Sequence, residues 1–323
     1  MTIACIGSGA FGVAIAHLLS QNEEHEIVIW SHDKNYVSQC QKKKKLFVKN
    51  QFEASLPKNV SLTNRYDEAL EKANIVFILI NSKYFLDVIQ ELKYYSFKNK
   101  TVFIGTKGML STKPYYLLSY AKKALKCKNI GYFAGPNFAS DVFSFNPAVM
   151  TIGTRQKKVY LTFQKLFPMM KVEYTKSIEA LELASVLKNV YAIGAGLTHA
   201  KYSGTSSIVS YTSVAYLEMC RLLEQMTGTS RVQDIKGILG DFFLTNMNTK
   251  SRNFSYGIAR FHSSNEASNY LKNHTTEGYE NLENIVLYLG KNISYYPILF
   301  TIYDIIYKNK KTDTLLDICF GRR

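Results

Sequence analysis

The sequence predicts an α/β protein: a parallel sheet covered on both faces in its first half, followed by an all-helical region. Three observations predict it. Short, nearly continuous apolar runs alternate with helix-like segments as far as about residue 176. A glycine-rich turn separates the first of these runs from the first helix. Beyond that point the apolar residues recur at helical spacing and strand signals become few.

In chain order, residues 3–6 are a short apolar strand ending at Gly7, and 10–20 a helix. Residues 26–30 (EIVIW) are a second strand. A helix over 66–72 leads into 75–80 (IVFILI), the clearest buried strand. Residues 101–105 (TVFIG), 130–134 and 147–153 (PAVMTIG) add three more strands. Helices follow over 179–197, 207–226, 279–289 and 296–308. A boundary near residue 178 divides the chain into a dinucleotide-binding domain, 1–178, and a helical substrate-binding domain, 179–323.

The glycine turn gives the first half its function. Gly7-Ser8-Gly9-Ala10-Phe11-Gly12 reads G-x-G-x-x-G after a strand, at the start of a helix, and before a second strand at βαβ spacing. Gly7 permits the tight turn, Gly9 lets backbone approach a pyrophosphate, and Gly12 lets helix and strand pack closely. The helix start offers unpaired N–H groups to the anion. This is a Rossmann-type domain, and it implies a nicotinamide cofactor. An acid about 20 residues on would bind the ribose 2′-hydroxyl. The second strand ends Trp30-Ser31-His32-Asp33. Asp33 has the spacing but lies beyond the strand tip, while Ser31 and His32 tolerate a 2′-phosphate, so NAD and NADP both remain open.

Composition sets the outer limits. Of 323 residues, 46% are hydrophobic and 20% charged, enough for a real core. The net charge of +15 suits anionic small molecules better than nucleic acid, because no basic helix or aromatic-basic stripe stands out. Lys42 to Lys45, the one dense cationic run, reads as a solvated loop. Five scattered cysteines show no metal spacing and suit a reducing compartment; Cys5 and Cys220 read as inert core residues. The six histidines show no zinc-like pairing, and no metal is expected. No charged n-region precedes the apolar start and no run reaches about 18 apolar residues, so neither a signal peptide nor an integral membrane segment is expected. A cytoplasmic protein is the expectation.

In the second half, Lys188 lies in an almost wholly apolar helical stretch, where it either snorkels outward or is desolvated into a group suited to proton transfer. Asp241, beside Gly240 and Phe242, either caps a helix or orients such a lysine, and on its own the cap is the simpler reading. Ser251-Arg252-Asn253 offers an N-cap and a bidentate anion ligand at a helix start. Lys107, after the strand at 101–105, and Gly135 to Ala139, after the next, sit at the sheet edge where ligands bind.

Taken in order, GSGAFG at Gly7 to Gly12, WSHD at Trp30 to Asp33, TKG at Thr106 to Gly108, GPNFA at Gly135 to Ala139, LKNVYAIGAG at Leu187 to Gly196, LGDFFLT at Leu239 to Thr245, SRN at Ser251 to Asn253 and TEGY at Thr276 to Tyr279 resemble the soluble NAD(P)-dependent glycerol-3-phosphate dehydrogenases over nearly the whole chain. The resemblance implies reduction of dihydroxyacetone phosphate by NAD(P)H, in a cleft of a two-domain homodimer. It makes Lys188 the proton donor, Asp241 the acid that holds it, and Lys107 a cation near both nicotinamide and substrate. It assigns the substrate to Lys107, Gly135, Asn137, Asp241, Ser251, Arg252 and Asn253, with Asn137 replacing a usual hydroxyl residue. It assigns the cofactor to Gly7, Gly9, Ala10, Phe11, Gly12, His32, Lys107, Ala139, Arg252, Thr275 and Glu277. The chain departs from the family at Ser206, Ile208 and Val214, where an asparagine and two arginines are usual. It departs again at Phe254 and Ser255, where basic residues are usual, and at Asn246 and Met247. A reductase of another small ketone, or a dinucleotide-binding protein without catalysis, is the alternative.

Overall fold

The computed structural model describes residues 1–321. The chain forms two compact units. The first comprises Met1–Thr106 and Tyr116–Ile178, and the second Lys107–Tyr115 with the chain from Glu179 onward.

The first unit is built on an eight-stranded sheet in the order β10-β9-β8-β7-β6-β1-β2-β5. Its strands are β1 (Thr2–Ile6), β2 (Glu26–Trp30), β5 (Val60–Thr63), β6 (Ile75–Ile78), β7 (Thr101–Ile104), β8 (Asn129–Ala134), β9 (Val149–Gly153) and β10 (Lys171–Thr175). Strands β3 (Lys45–Val48) and β4 (Phe52–Ser55) form a separate antiparallel pair. The helices are α1 (Ala10–Leu19), α2 (Lys34–Lys43), α3 (Tyr66–Leu70), α4 (Phe85–Leu92), α5 (Leu117–Ala124), α6 (Ala139–Phe143) and α7 (Lys157–Leu166). Every residue of β6 is buried, as a central strand covered on both faces requires. Parallel register sets Ile6 beside both Trp30 and Ile78, and Ile78 beside Ile104. Strands β1, β2, β6 and β7 therefore end at one edge, and the glycine turn leaves from it.

One strand runs against expectation: β9 pairs antiparallel with β8. An all-apolar run reports burial on two faces and carries no sign of direction. Strands β5 and β10 had no apolar run to announce them, because they lie at the two edges of the sheet and alternate polar with apolar residues. The lysine run is not a loop either. Lys42 and Lys43 close α2, Lys44 takes a left-handed conformation, and Lys45 opens β3.

The second unit is helical: α8 (Ile178–Lys201), α9 (Thr205–Thr227), α10 (Lys236–Asn246), α11 (Arg252–His262), α12 (Ser264–Asn273), α13 (Glu277–Leu289), α14 (Pro297–Tyr307) and α15 (Asp313–Phe320). Helix α8 is buried almost throughout its length. It meets α11 at backbone distance: a Cβ at Gly196 would lie 2.0 Å from the Phe254 carbonyl oxygen. On α9, Glu218 is 1% exposed, yet its carboxylate is fully used. It accepts from the Tyr191 hydroxyl (3.0 Å) and from the Ile298 and Leu299 N–H groups (2.9 Å each), capping the start of α14. Among the described residues no helix is long and apolar enough to cross a membrane.

Candidate active site

In the first unit the three glycines divide their work as the motif predicts. Gly7 has φ +125°, and a Cβ there would lie 2.4 Å from the Leu79 carbonyl oxygen. At Gly12 a Cβ would lie 2.2 Å from the carbonyl oxygen of Gly7, so the helix can seat on the turn only without one. Gly9 faces open space, with nothing within 4 Å of a Cβ. As the N-cap of α1 it brings no side chain to the first-turn N–H groups. An uncapped helix start beneath an open, side-chain-free backbone fits a pyrophosphate, and these residues are suited to hold a dinucleotide. Ala10 begins α1, and half-buried Phe11 stacks on Phe133.

The turn after β2 is equally definite. Ser31 is buried, and its hydroxyl lies 2.6 Å from that of Ser8 in the glycine turn. The carboxylate of Asp33 accepts from the N–H groups of Asn35 (2.8 Å) and Tyr36 (3.1 Å), capping α2. His32 is exposed. Farther along the sheet edge, the Asn137 amide donates to the Val149 carbonyl oxygen (3.1 Å), the backbone of Gly135 packs against the same strand, and Ala139 starts α6.

The second unit gathers the charged groups. The Lys188 ammonium donates to Asp241 Oδ1 (2.5 Å) and to the Thr245 hydroxyl (2.8 Å). Lys107 Nζ lies 3.2 Å from Asp241 Oδ2, so one carboxylate bridges two ammoniums. The Lys188 and Asp241 side chains are 7% and 5% exposed and that of Lys107 20%, which leaves Lys107 the more open of the two cations. Lys188 therefore does not snorkel. Asp241 sits inside α10 rather than capping it, because the helix runs through Gly237 and Gly240. Burial, aided by the Lys107 cation, pulls Lys188 down to about 8 even though Asp241 favours its charge. Burial also weighs against the Lys107 ammonium, but the carboxylates of Asp241 and Glu277 outweigh it and hold Lys107 above the ordinary lysine value.

A second cluster lies beside the first. Ser251 caps α11 through its hydroxyl, and Arg252, the first residue of that helix, is exposed. Asn253 is buried, donating to Asn189 Oδ1 (3.1 Å) and accepting from the Gly278 N–H (2.8 Å). Asn189 in turn donates to Glu277 Oε2 (3.0 Å), next to Thr276 and half-buried Thr275. Sequence reading missed Thr245 and Asn189. Thr245 stands one helical turn from Asp241 on the same face, and Asn189 directly follows Lys188; those spacings were the available signals.

Two sequence families cover the chain in tandem. Residues 2–160 match the NAD-dependent glycerol-3-phosphate dehydrogenase N-terminus, and residues 178–317 match its C-terminus. The chain belongs to the NAD(P)-dependent glycerol-3-phosphate dehydrogenase family. These are oxidoreductases acting on a CH–OH group with a nicotinamide cofactor. A glycerol-3-phosphate dehydrogenase [NAD(P)+] of Orientia tsutsugamushi (strain Boryong) is 29% identical over 262 residues, covering 80% of this chain and 78% of its own. One from Bartonella tribocorum is 27% identical over 320 residues, 96% of this chain and 93% of its own. The crystal structure of the glycerol-3-phosphate dehydrogenase from Coxiella burnetii superposes with a TM-score of 0.88 at 21% identity, covering 100% of this chain and 99% of that one. The fold is therefore shared.

Proposed function

We propose that the chain reduces dihydroxyacetone phosphate to sn-glycerol 3-phosphate, with the first unit holding the dinucleotide and the second the substrate. The observation that carries this reading is the buried Lys188–Asp241–Lys107 cluster, in which Lys188 lies at about 8. A nicotinamide cofactor held by the turn from Gly7 to Gly12 would supply the hydride that the reduction needs. Lys188 delivers the proton to the carbonyl oxygen, so the ketone gains one hydride and one proton and becomes the alcohol. At about 8, Lys188 is mostly protonated at neutral pH and can act as the acid when the ketone is reduced. Lys107 places a second positive charge where the oxygen turns negative. Asp241 keeps both ammoniums in position, and Thr245 fixes a third hydrogen bond on Lys188.

Arg252 stands exposed at the start of α11, where a guanidinium and open helix N–H groups suit a phosphate monoester. The product is the backbone of glycerophospholipids, and we place the chain at the entry to their synthesis. A cytoplasmic homodimer completes the proposal. Five free cysteines suit the location, and the dimer is the usual symmetric assembly. The test is NAD(P)H oxidation dependent on dihydroxyacetone phosphate. Lys188→Ala should abolish turnover while cofactor binding persists. Arg252→Ala should act mainly on substrate KM, by about 1.5–3 kcal/mol for a charge-assisted hydrogen bond. Full turnover by Lys188→Ala, or an unchanged KM in Arg252→Ala, defeats the assignment concerned.

A further inference from the structure

We infer that Asn246 is a positioning residue for the proposed reduction: it ties the main chain of Lys188 to α10 and so fixes where the ammonium meets Asp241 and Thr245. The inference rests on the role proposed for Lys188 and deepens it. Helix α10 holds that lysine at both ends. Asp241 and Thr245, one turn apart, hold the ammonium at 2.5 and 2.8 Å. Phe242 and Asn246 are the adjacent pair, also one turn apart. The Asn246 amide donates to the Phe242 carbonyl oxygen (2.8 Å) and, across to α8, to the carbonyl oxygen of Lys188 (3.2 Å). A side-chain amide has two N–H protons, so both are spent. Beside this tie, the ring of Phe242 packs against that of Tyr191, with centroids 5.8 Å apart. One helix therefore sets both where the lysine side chain starts and where it ends. Without the tie at its root, the flexible four-carbon stem of a lysine could carry the ammonium to several places.

The fold alone gives little reason for an asparagine at this position. Asn246 is 0% exposed, and its Oδ1 has no hydrogen-bond partner. A buried carbonyl oxygen left unpaired destabilises a core, and an apolar side chain of similar shape avoids that loss. Nor do the two carbonyls need the amide. Both belong to helical residues, where the N–H four residues on already serves them. What the amide adds is a fastening between α8 and α10 at the lysine itself. A residue that costs stability and fastens the proton donor is one retained for function rather than for folding.

Asn246→Leu keeps the shape and removes both donors. Its melting temperature should match or exceed the parent's, while kcat for ketone reduction falls by about tenfold or more and KM stays within about twofold, the pattern of a misplaced catalytic group. Asn246→Ser can bond only within its own helix and should show the same loss of kcat, which keeps the test open should the leucine variant fail to fold. A second readout needs no turnover. In protein labelled with [ε-13C]lysine, the Lys188 signal is identified by its disappearance in Lys188→Met. The two ε-protons of a pinned lysine have separate shifts; in either Asn246 variant they should merge as the stem gains freedom. Parent-like kcat in both variants overturns the inference. So does a fall in kcat that merely tracks a fall in melting temperature, or ε-protons that stay resolved in the variants. A parent protein that leaves dihydroxyacetone phosphate unreduced sinks the proposed activity alone, and the ε-proton signal then decides whether Asn246 holds the lysine in place.

Discussion

Replacing Asp241 by Asn leaves the shape of the cluster and removes the charge that its two ammoniums share. Lys188 lies at about 8 instead of 10.5, which disfavours its charged form by about 3 kcal/mol. Burial and the Lys107 cation drive it down, while Asp241, 2.5 Å away, works against them. Without that carboxylate the buried ammonium loses its ion partner, at a cost of about 3–5 kcal/mol, and Lys188 moves further below 8. A lysine that acts as the acid must be protonated when the ketone binds. The reductive rate should therefore fall as pH rises through about 8 in the parent protein. The oxidative rate should rise through the same range. In Asp241→Asn the reductive limb should break at lower pH, and the rate at neutral pH should drop by roughly a hundredfold or more. Lys107→Met should do the reverse to the titration, because it deletes a cation that opposes the charge on Lys188. Initial rates of NADPH consumption across pH, with dihydroxyacetone phosphate saturating, report both shifts. Movement of both profiles in one direction, or a break that stays in place in both variants, would show that Lys188 is not the group being titrated.

Two further predictions come from the first unit. Gly9→Ala adds a methyl into open space and should alter stability by no more than about 0.5 kcal/mol while weakening cofactor binding; Gly12→Ala drives a methyl into the carbonyl of Gly7 and should cost more than about 2 kcal/mol. Equal losses of melting temperature in the two would refute this division of roles. His17 is buried on α1, stacked on Phe143 (4.2 Å) and tilted against Phe145 (4.9 Å), and burial lowers its pKa below 6.5. The unfolded chain therefore takes up a proton on His17 at higher pH than the folded chain does. The stability this supplies is complete above 6.5 and is lost as pH falls toward the folded value. His17→Leu should flatten the fall of melting temperature across that window, and an unaltered slope would count against it.

Much of this was legible in the residues themselves. The glycine turn could be assigned position by position, because each glycine answers a different steric demand and the flanking apolar runs supply the βαβ context. Lys188 was left between two readings, although its helix held a further clue. A helix apolar on every face has no solvent side for a lysine to snorkel toward, so the uniform burial of α8 settles the question. Taken alone, Asp241 read more simply as a helix cap because glycines precede it, yet α10 passes through Gly237 and Gly240. The bridging of two lysines by one carboxylate lay beyond reach, since Lys107 and Asp241 are 134 residues apart and no local period links them. Strand direction at β9 and the half-polar edge strands escaped for the complementary reason that pairing, not composition, determines them.

The excursion of Lys107–Tyr115 has a consequence for dissecting this protein by genetic means. Nine residues encoded in the midst of the first unit fold with the second, held there by Met109, whose N–H donates to Asn281 Oδ1 and whose carbonyl accepts from the Asn284 amide. The two units are thus interleaved along the gene rather than arranged in series. A fragment beginning at Glu179 would lack one of the two cations that Asp241 bridges. A chimera exchanged at residue 178 would carry a foreign lysine segment into an otherwise native helical unit. Any transplant of substrate specificity between relatives must move this short insert together with the helices.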